Sequence, residues 1–105
     1  AEATRRLLAE HPDLDAVFAA SDLMAAGTID VLTARRIRVP ADVAVFGFDD
    51  MGIADRTQPP LSTVHQPVAA IAARAGDMLH DLIIGVQIEE NPVLFPARLV
   101  LRESA

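Results

Sequence analysis

The chain has 105 residues, 51% hydrophobic and 4% aromatic, which predicts a single modest domain with an aliphatic core. Nine arginines face fifteen acidic residues, the net charge is −6 and there is no lysine, which argues against a basic nucleic-acid-binding surface and excludes lysine Schiff-base chemistry. The lack of cysteine excludes disulfides and thiolate metal sites, and no apolar run approaches the roughly 20 residues of a membrane span.

The first half of the chain predicts a helix, a strand and a second helix. Residues 1–11 form an amphipathic pattern, and residues 16–20 are a short apolar strand. Ser21 and Asp22 are good N-cap residues for a helix that ends near Arg36. The first half of this helix is apolar on nearly every side, which indicates that one face covers a sheet and the other meets a partner subunit.

The second half predicts strand, strand, helix and strand. Residues 43–48 are an uncharged run typical of a strand buried on both faces. Residues 61–66 alternate as a strand, and a helix follows from Val68 until Gly85 ends it. Residues 93–102 are a last strand, which Pro96 confines to an edge or a bulge. The order predicts an α/β fold, a mostly parallel sheet layered with helices.

Polar residues follow two of the predicted strands. Ser21 and Asp22 come after the first, and Asp49 and Asp50 after the second. If these strands are neighbours, all four residues lie at one edge of the sheet, where ligands bind in open α/β folds. They could cap turns, hydrogen-bond a small polyol, or hold Mg²⁺ for phosphoryl transfer. The magnesium alternative lacks the lysine and the glycine-rich phosphate loop that this chemistry uses.

Three motifs in order resemble one protein family over essentially the whole chain. They are Ala19-Ala-Ser-Asp-Leu-Met-Ala-Ala-Gly27, Arg38-Val-Pro-Ala-Asp-Val-Ala-Val-Phe-Gly-Phe-Asp-Asp50 and Pro60-Leu-Ser-Thr-Val-His-Gln66, followed by a Leu-Val-Leu-Arg-Glu-Ser ending. The pattern resembles the C-terminal part of the sensor domain of lactose-repressor-type (LacI/GalR) transcriptional regulators. The resemblance implies a periplasmic-binding-protein-like fold of two lobes, with residues 1–66 and 92–105 in the C-terminal lobe. Residues 67–91 would form a crossover and a helix of the N-terminal lobe.

The family resemblance also implies the residues that bind the ligand. The aspartate after the aromatic residue of the Gly-aromatic-Asp motif contacts the effector, and here it is Asp49. Ser21 stands where the family commonly has asparagine, and Gln66 resembles a pocket residue on the hinge side. Asp22 is a further candidate at this edge, and Ile71 a candidate apolar wall.

The resemblance implies a homodimer as well. The helix from Asp22 and the loop 51–60 resemble the family's dimer-forming surface. The candidate interface residues are Leu23, Met24, Ala26, Met51 and Thr57.

The implied function is regulatory and not enzymatic. A sugar or polyol effector would bind between the lobes and change the affinity of the dimer for operator DNA. The DNA would be contacted by a helix-turn-helix that this chain lacks. The implied location is cytoplasmic, with no cofactor, metal or membrane partner. The first residues have neither an initiating methionine nor a signal-peptide core, so we expect a piece of a longer chain. The alternatives are an exported periplasmic sugar-binding protein and, third, a magnesium-dependent enzyme built on Asp22, Asp49 and Asp50.

Overall fold

The computed structural model describes residues 1–87 and 92–105, and its elements follow the predicted order of helices and strands. The chain forms two compact units, which are Ala1–His65 with Arg98–Ala105, and Gln66–Ala97. The first unit contains α1 (Glu2–Glu10), β1 (Ala16–Phe18), α2 (Asp22–Ala34), β2 (Ala44–Phe46), β3 (Thr63–His65) and β4 (Arg98–Val100). The second unit contains α3 (Val68–Ile83).

The strands of the first unit form two two-stranded sheets, one parallel and one antiparallel. β1 pairs with β2 in parallel, with Phe18 opposite Phe46, and the two phenyl rings stack with centroids 6.3 Å apart. Two single parallel bridges, Phe46–Ser62 and Asp49–His65, continue the pairing from β2 toward β3. β4 pairs with β3 in antiparallel fashion. It is shorter than the predicted strand over 93–102, because only three of those residues find ladder partners.

Helix α2, β2 and the segments next to them form the core. Ser21 is the N-cap of α2, as predicted, and its side chain accepts a hydrogen bond from the Met24 N–H at 3.3 Å. Beneath the helix lies an aliphatic cluster in which most side chains are alanine, valine or leucine, as composition predicts. Its members are Ala19, Ala25, Ile29, Leu32, Val43, Val45, Ala54 and Leu61.

Two buried serines, Ser62 and Ser104, attach the segment after β4 to this core by hydrogen bonds. The Ser104 hydroxyl donates to the Val45 carbonyl at 2.6 Å and accepts from the Ser62 N–H at 2.8 Å. The Val45 N–H donates to the Ser104 carbonyl at 2.7 Å. The Ser62 hydroxyl in turn accepts from the Arg102 N–H at 2.8 Å. Residues 98–105 are therefore part of the first unit although residues 66–97 separate them from it in sequence.

The second unit is a helix with an exposed apolar surface. No residue of α3 is buried, and Gly85 ends the helix with a φ of +80°. Ile71 and Met78 face Val93 and Phe95 across an open groove of about 280 Å³. No helix of residues 1–87 and 92–105 is both long and apolar enough to cross a membrane.

Candidate functional site

The carboxyl ends of β1 and β2 lie side by side, which brings the two predicted polar pairs to one edge of the first unit. The Ala19 N–H donates to the Phe46 carbonyl at 2.8 Å. One step further, the Asp22 N–H donates to the Phe48 carbonyl, also at 2.8 Å. The start of α2 is thus held against the chain that leads to Asp49 and Asp50. This is the location at which parallel α/β sheets bind ligands.

Asp22 is used inside the fold. Its side chain is buried at 1% exposure, Oδ1 accepts from the Thr63 hydroxyl at 2.5 Å, and Oδ2 accepts from the Met51 N–H at 2.8 Å. These bonds tie the N-terminus of α2 to β3 and to the turn after β2. Ligand contact by Asp22 stays a prediction, and the geometry favours a positioning role for this carboxylate. The Ser21 hydroxyl caps α2, and its predicted ligand contact is likewise untested.

Gly47 makes this arrangement possible and was not predicted as a site residue. A Cβ on Gly47 would lie 2.5 Å from Asp22 Oδ1 and 2.9 Å from Leu61 Cδ2. Only glycine fits, because real Cβ atoms do not approach other atoms so closely. The signal in the sequence is a glycine inside an otherwise apolar strand, which is typical of a close approach by a neighbour.

Asp49 and Asp50 both have a left-handed backbone, with φ of +111° and +56°. Non-glycine residues rarely adopt positive φ, and each such residue costs about 1–3 kcal/mol that the surrounding contacts must offset. The Asp49 N–H is fixed by a hydrogen bond to the Val64 carbonyl at 2.9 Å. Asp49 itself is half-buried. Strained backbone of this kind is concentrated at functional sites, and the ligand contact of Asp49 stays a prediction.

Asp50 is the centre of a charged network that the sequence did not reveal. Its Oδ1 accepts from Arg102 Nη2 at 2.9 Å, and its Oδ2 lies 3.0 Å from His65 Nδ1. The Arg102 guanidinium also contacts Asp55 Oδ1 at 2.9 Å and donates to the Leu61 carbonyl at 2.9 Å. The hydrogen bond from Arg102 lowers the pKa of Asp50 below its usual range; burial opposes this shift, and the bond to His65 supports it.

Gln66 and Ile71, the other predicted ligand contacts, belong to the second unit and are half-buried there. The Gln66 carbonyl accepts from the Val68 N–H at 2.9 Å, at the entry to α3. Both ligand assignments stay predictions. In the residues that the structure describes, no three carboxylates or histidines are grouped so that they could hold a metal ion.

The predicted dimer residues form a partly exposed patch on the first unit. Leu23, Met24 and Met51 are 71%, 57% and 59% exposed. Ala26 and Thr57 are half-buried and line an open groove of about 580 Å³ between α2 and the loop after β2. A large apolar exposure at the start of a helix is consistent with an interface.

Comparison with known proteins agrees with this geometry. Residues 1–105 match the family described as periplasmic binding protein-like domain. The HTH-type transcriptional regulator CelR of Thermobifida fusca is 43% identical over 97% of this chain and 30% of its own length. The solved complex of a transcriptional regulator CelR with cellobiose has a TM-score of 0.93 at 42% identity, over 99% of this chain and 32% of that one.

A third relative is the lac repressor dimer, solved bound to operator and the anti-inducer ONPF. It has a TM-score of 0.86 at 32% identity over 98% of this chain and 36% of that one. The chain thus spans about a third of the length of these relatives. These relatives are transcriptional regulators. The chain belongs to the periplasmic binding protein-like domain family, as a sensor domain of the lactose-repressor (LacI/GalR) type.

Proposed function

We propose that the complete protein is a cytoplasmic, dimeric transcriptional repressor whose sensor binds a small saccharide, and that binding changes its hold on operator DNA. The observation that carries the proposal is the edge where β1 and β2 end, with Asp49 half-buried in strained backbone. A carboxylate at this position can accept hydrogen bonds from vicinal hydroxyls of a sugar. The neighbour with a TM-score of 0.93 is a complex with cellobiose, which makes cellobiose the first candidate.

The two compact units correspond, in this proposal, to parts of two lobes. Asp49 and Ser21, in the first unit, are the proposed ligand contacts, and Gln66 and Ile71 remain candidates from the family resemblance alone. A ligand that favours one conformation over another shifts the population toward it, and this is how effector binding would reach the DNA-binding domain.

Homodimer formation rests on the exposed patch. Leu23, Met24 and Met51 would be covered by the same surface of a second copy, as in a two-fold interface. The groove beside Ala26 and Thr57 would receive part of the partner. DNA contact would be made by a domain outside this chain, since the chain is acidic and has no basic stripe.

The test is calorimetric titration of the protein expressed from its complete gene. We expect wild-type protein to bind cellobiose or another disaccharide, and Asp49→Ala to weaken binding by about 1.5–3 kcal/mol, which is the usual loss for a charged hydrogen-bond partner. Asp42→Ala is the matched control, because this carboxylate is exposed in the same unit and pairs with Arg38. Equal affinity of Asp49→Ala and wild type would remove Asp49 from the site. Failure of the wild type to bind any of a panel of mono- and disaccharides would refute the sensor function.

A further inference from the structure

We infer that the Asp50–Arg102 ion pair is a positioning device that holds the Asp49–Asp50 turn in the backbone conformation needed for effector binding. The inference rests on the proposed function and extends it to residues that are not themselves ligand contacts. Three observations support it, namely the strained backbone, the contacts that oppose the strain, and the reach of Arg102 across the unit.

The turn after β2 is not stable by its own local preferences. Two consecutive non-glycine residues with φ of +111° and +56° would relax to ordinary backbone if nothing held them. The segment therefore needs contacts on both sides. On one side, the Asp49 N–H bonds the Val64 carbonyl at 2.9 Å, and the Met51 N–H bonds the Asp22 carboxylate at 2.8 Å.

On the other side, Asp50 provides the side-chain anchor. Both of its oxygens are occupied, by Arg102 at 2.9 Å and by His65 at 3.0 Å, and its side chain is only 16% exposed. An ion pair at this exposure is screened by water far less than a surface pair. Because Asp49 and Asp50 share a peptide bond, fixing Asp50 also restricts the direction in which the Asp49 side chain projects from the backbone.

Arg102 connects the turn to two other segments of the unit, the residues just before β3 and the loop after β2. Its guanidinium reaches Leu61 before β3 and Asp55 in the loop after β2, in addition to Asp50. Its own N–H bonds the buried Ser62 hydroxyl. An arginine has five donors in a rigid planar fork, so it can hold several acceptors at fixed relative positions, which lysine cannot do.

The experiment compares Asp50→Asn, Arg102→Gln and the double variant in the protein expressed from its complete gene, with cellobiose as the probe. Each single change should raise the dissociation constant by about tenfold, the order that losing an orienting partner costs at other sites. Because the two residues act as one device, the double variant should bind no more weakly than either single one. Arg102→Lys retains the charge and should recover part of the affinity.

The matched control is Asp42→Asn. The Arg38–Asp42 pair lies in the same unit, but it is exposed, and its two side chains bond each other and not the Asp49–Asp50 turn. Its loss should therefore leave cellobiose binding unchanged. A purely structural role for Asp50 would lower the stability of the variant without changing the affinity of the folded protein. An unchanged dissociation constant for Asp50→Asn would therefore overturn the inference.

A second measurement does not depend on ligand. Amide hydrogen exchange at Asp49 and Met51 in unliganded protein should be faster in Asp50→Asn than in wild type, and unchanged in Asp42→Asn. If wild-type protein binds no saccharide, the proposed function fails while this exchange still decides whether the pair holds the turn. Unchanged exchange at Asp49 would overturn the inference. Should Asp50→Asn not fold, Arg102→Lys provides both readouts.

Discussion

Gly47 is the residue on which the close packing of the site edge depends. Its substitution by alanine places a Cβ 2.5 Å from Asp22 Oδ1 and 2.9 Å from Leu61 Cδ2. The Asp22 carboxylate cannot move away from this Cβ without losing its hydrogen bonds to Thr63 and Met51. We expect Gly47→Ala to lower the free energy of unfolding by about 1–3 kcal/mol, the usual cost of overpacking a core.

Denaturant unfolding of the two proteins measures this loss. Gly52→Ala is the matched control, since a Cβ at Gly52 meets no atom within 4 Å. If the two alanine variants were equally stable, the steric role of Gly47 would be wrong.

Residue-scale features that are local in sequence could be predicted, and long-range ones could not. Ser21 as an N-cap and Gly85 at a helix end follow from side-chain chemistry and backbone freedom within one turn. The Asp50–Arg102 pair joins residues that are 52 positions apart. Nothing in the pattern around Asp50 indicates which cation the fold brings to it, because that depends on how the strands are placed.

At the scale of elements, the order of helices and strands and the extents of the helices could be predicted from apolar periodicity and end signals, but the lengths of the strands could not. The structure pairs only three residues in each strand, although the apolar runs are longer. A strand's length is set by the partners it meets, which lie elsewhere in the chain. Beyond the strand ladders, side chains bond backbone groups of neighbouring segments. The Ser104 hydroxyl does this between β2 and the residue before β3.

Ser104 offers a direct test of this side-chain pairing. Ser104→Ala leaves the Val45 carbonyl without the hydroxyl donor and the Ser62 N–H without its acceptor, in a fully buried position. We expect a loss of about 1–3 kcal/mol in unfolding free energy, the cost of leaving buried polar groups unpaired. Glu103→Ala, at the exposed neighbouring residue, should change stability little, and thermal unfolding of both variants gives the comparison. Equal stability of the two would show that the hydroxyl contributes nothing.

At the scale of the whole molecule, the proposed dimer formation through the exposed residues of α2 can be measured. Leu23 and Met24 are 71% and 57% exposed, so replacing both by serine should cost little in folding yet remove apolar area from a dimer interface. Sedimentation equilibrium of the complete protein should then shift from dimer to monomer. Arg6→Ser with Glu10→Ser, at an exposed ion pair on α1, serves as the control and should remain dimeric. A dimer that persists in the Leu23 and Met24 variant would place the interface elsewhere.

The return of residues 98–105 into the first unit has a consequence for how the protein is made. Chains are synthesised from the N-terminus, so Val45 and Ser62 leave the ribosome well before Ser104, which lies 59 and 42 positions further on. Until then the Val45 carbonyl lacks the hydrogen bond from the Ser104 hydroxyl, and the Leu61 carbonyl lacks the hydrogen bond from Arg102. The half of the sensor that carries Asp49 can therefore reach its final form only after all of the second unit has been translated. A message truncated before residue 98 would yield a protein that contains Asp49 but lacks the Arg102 and Ser104 contacts that support this part of the first unit.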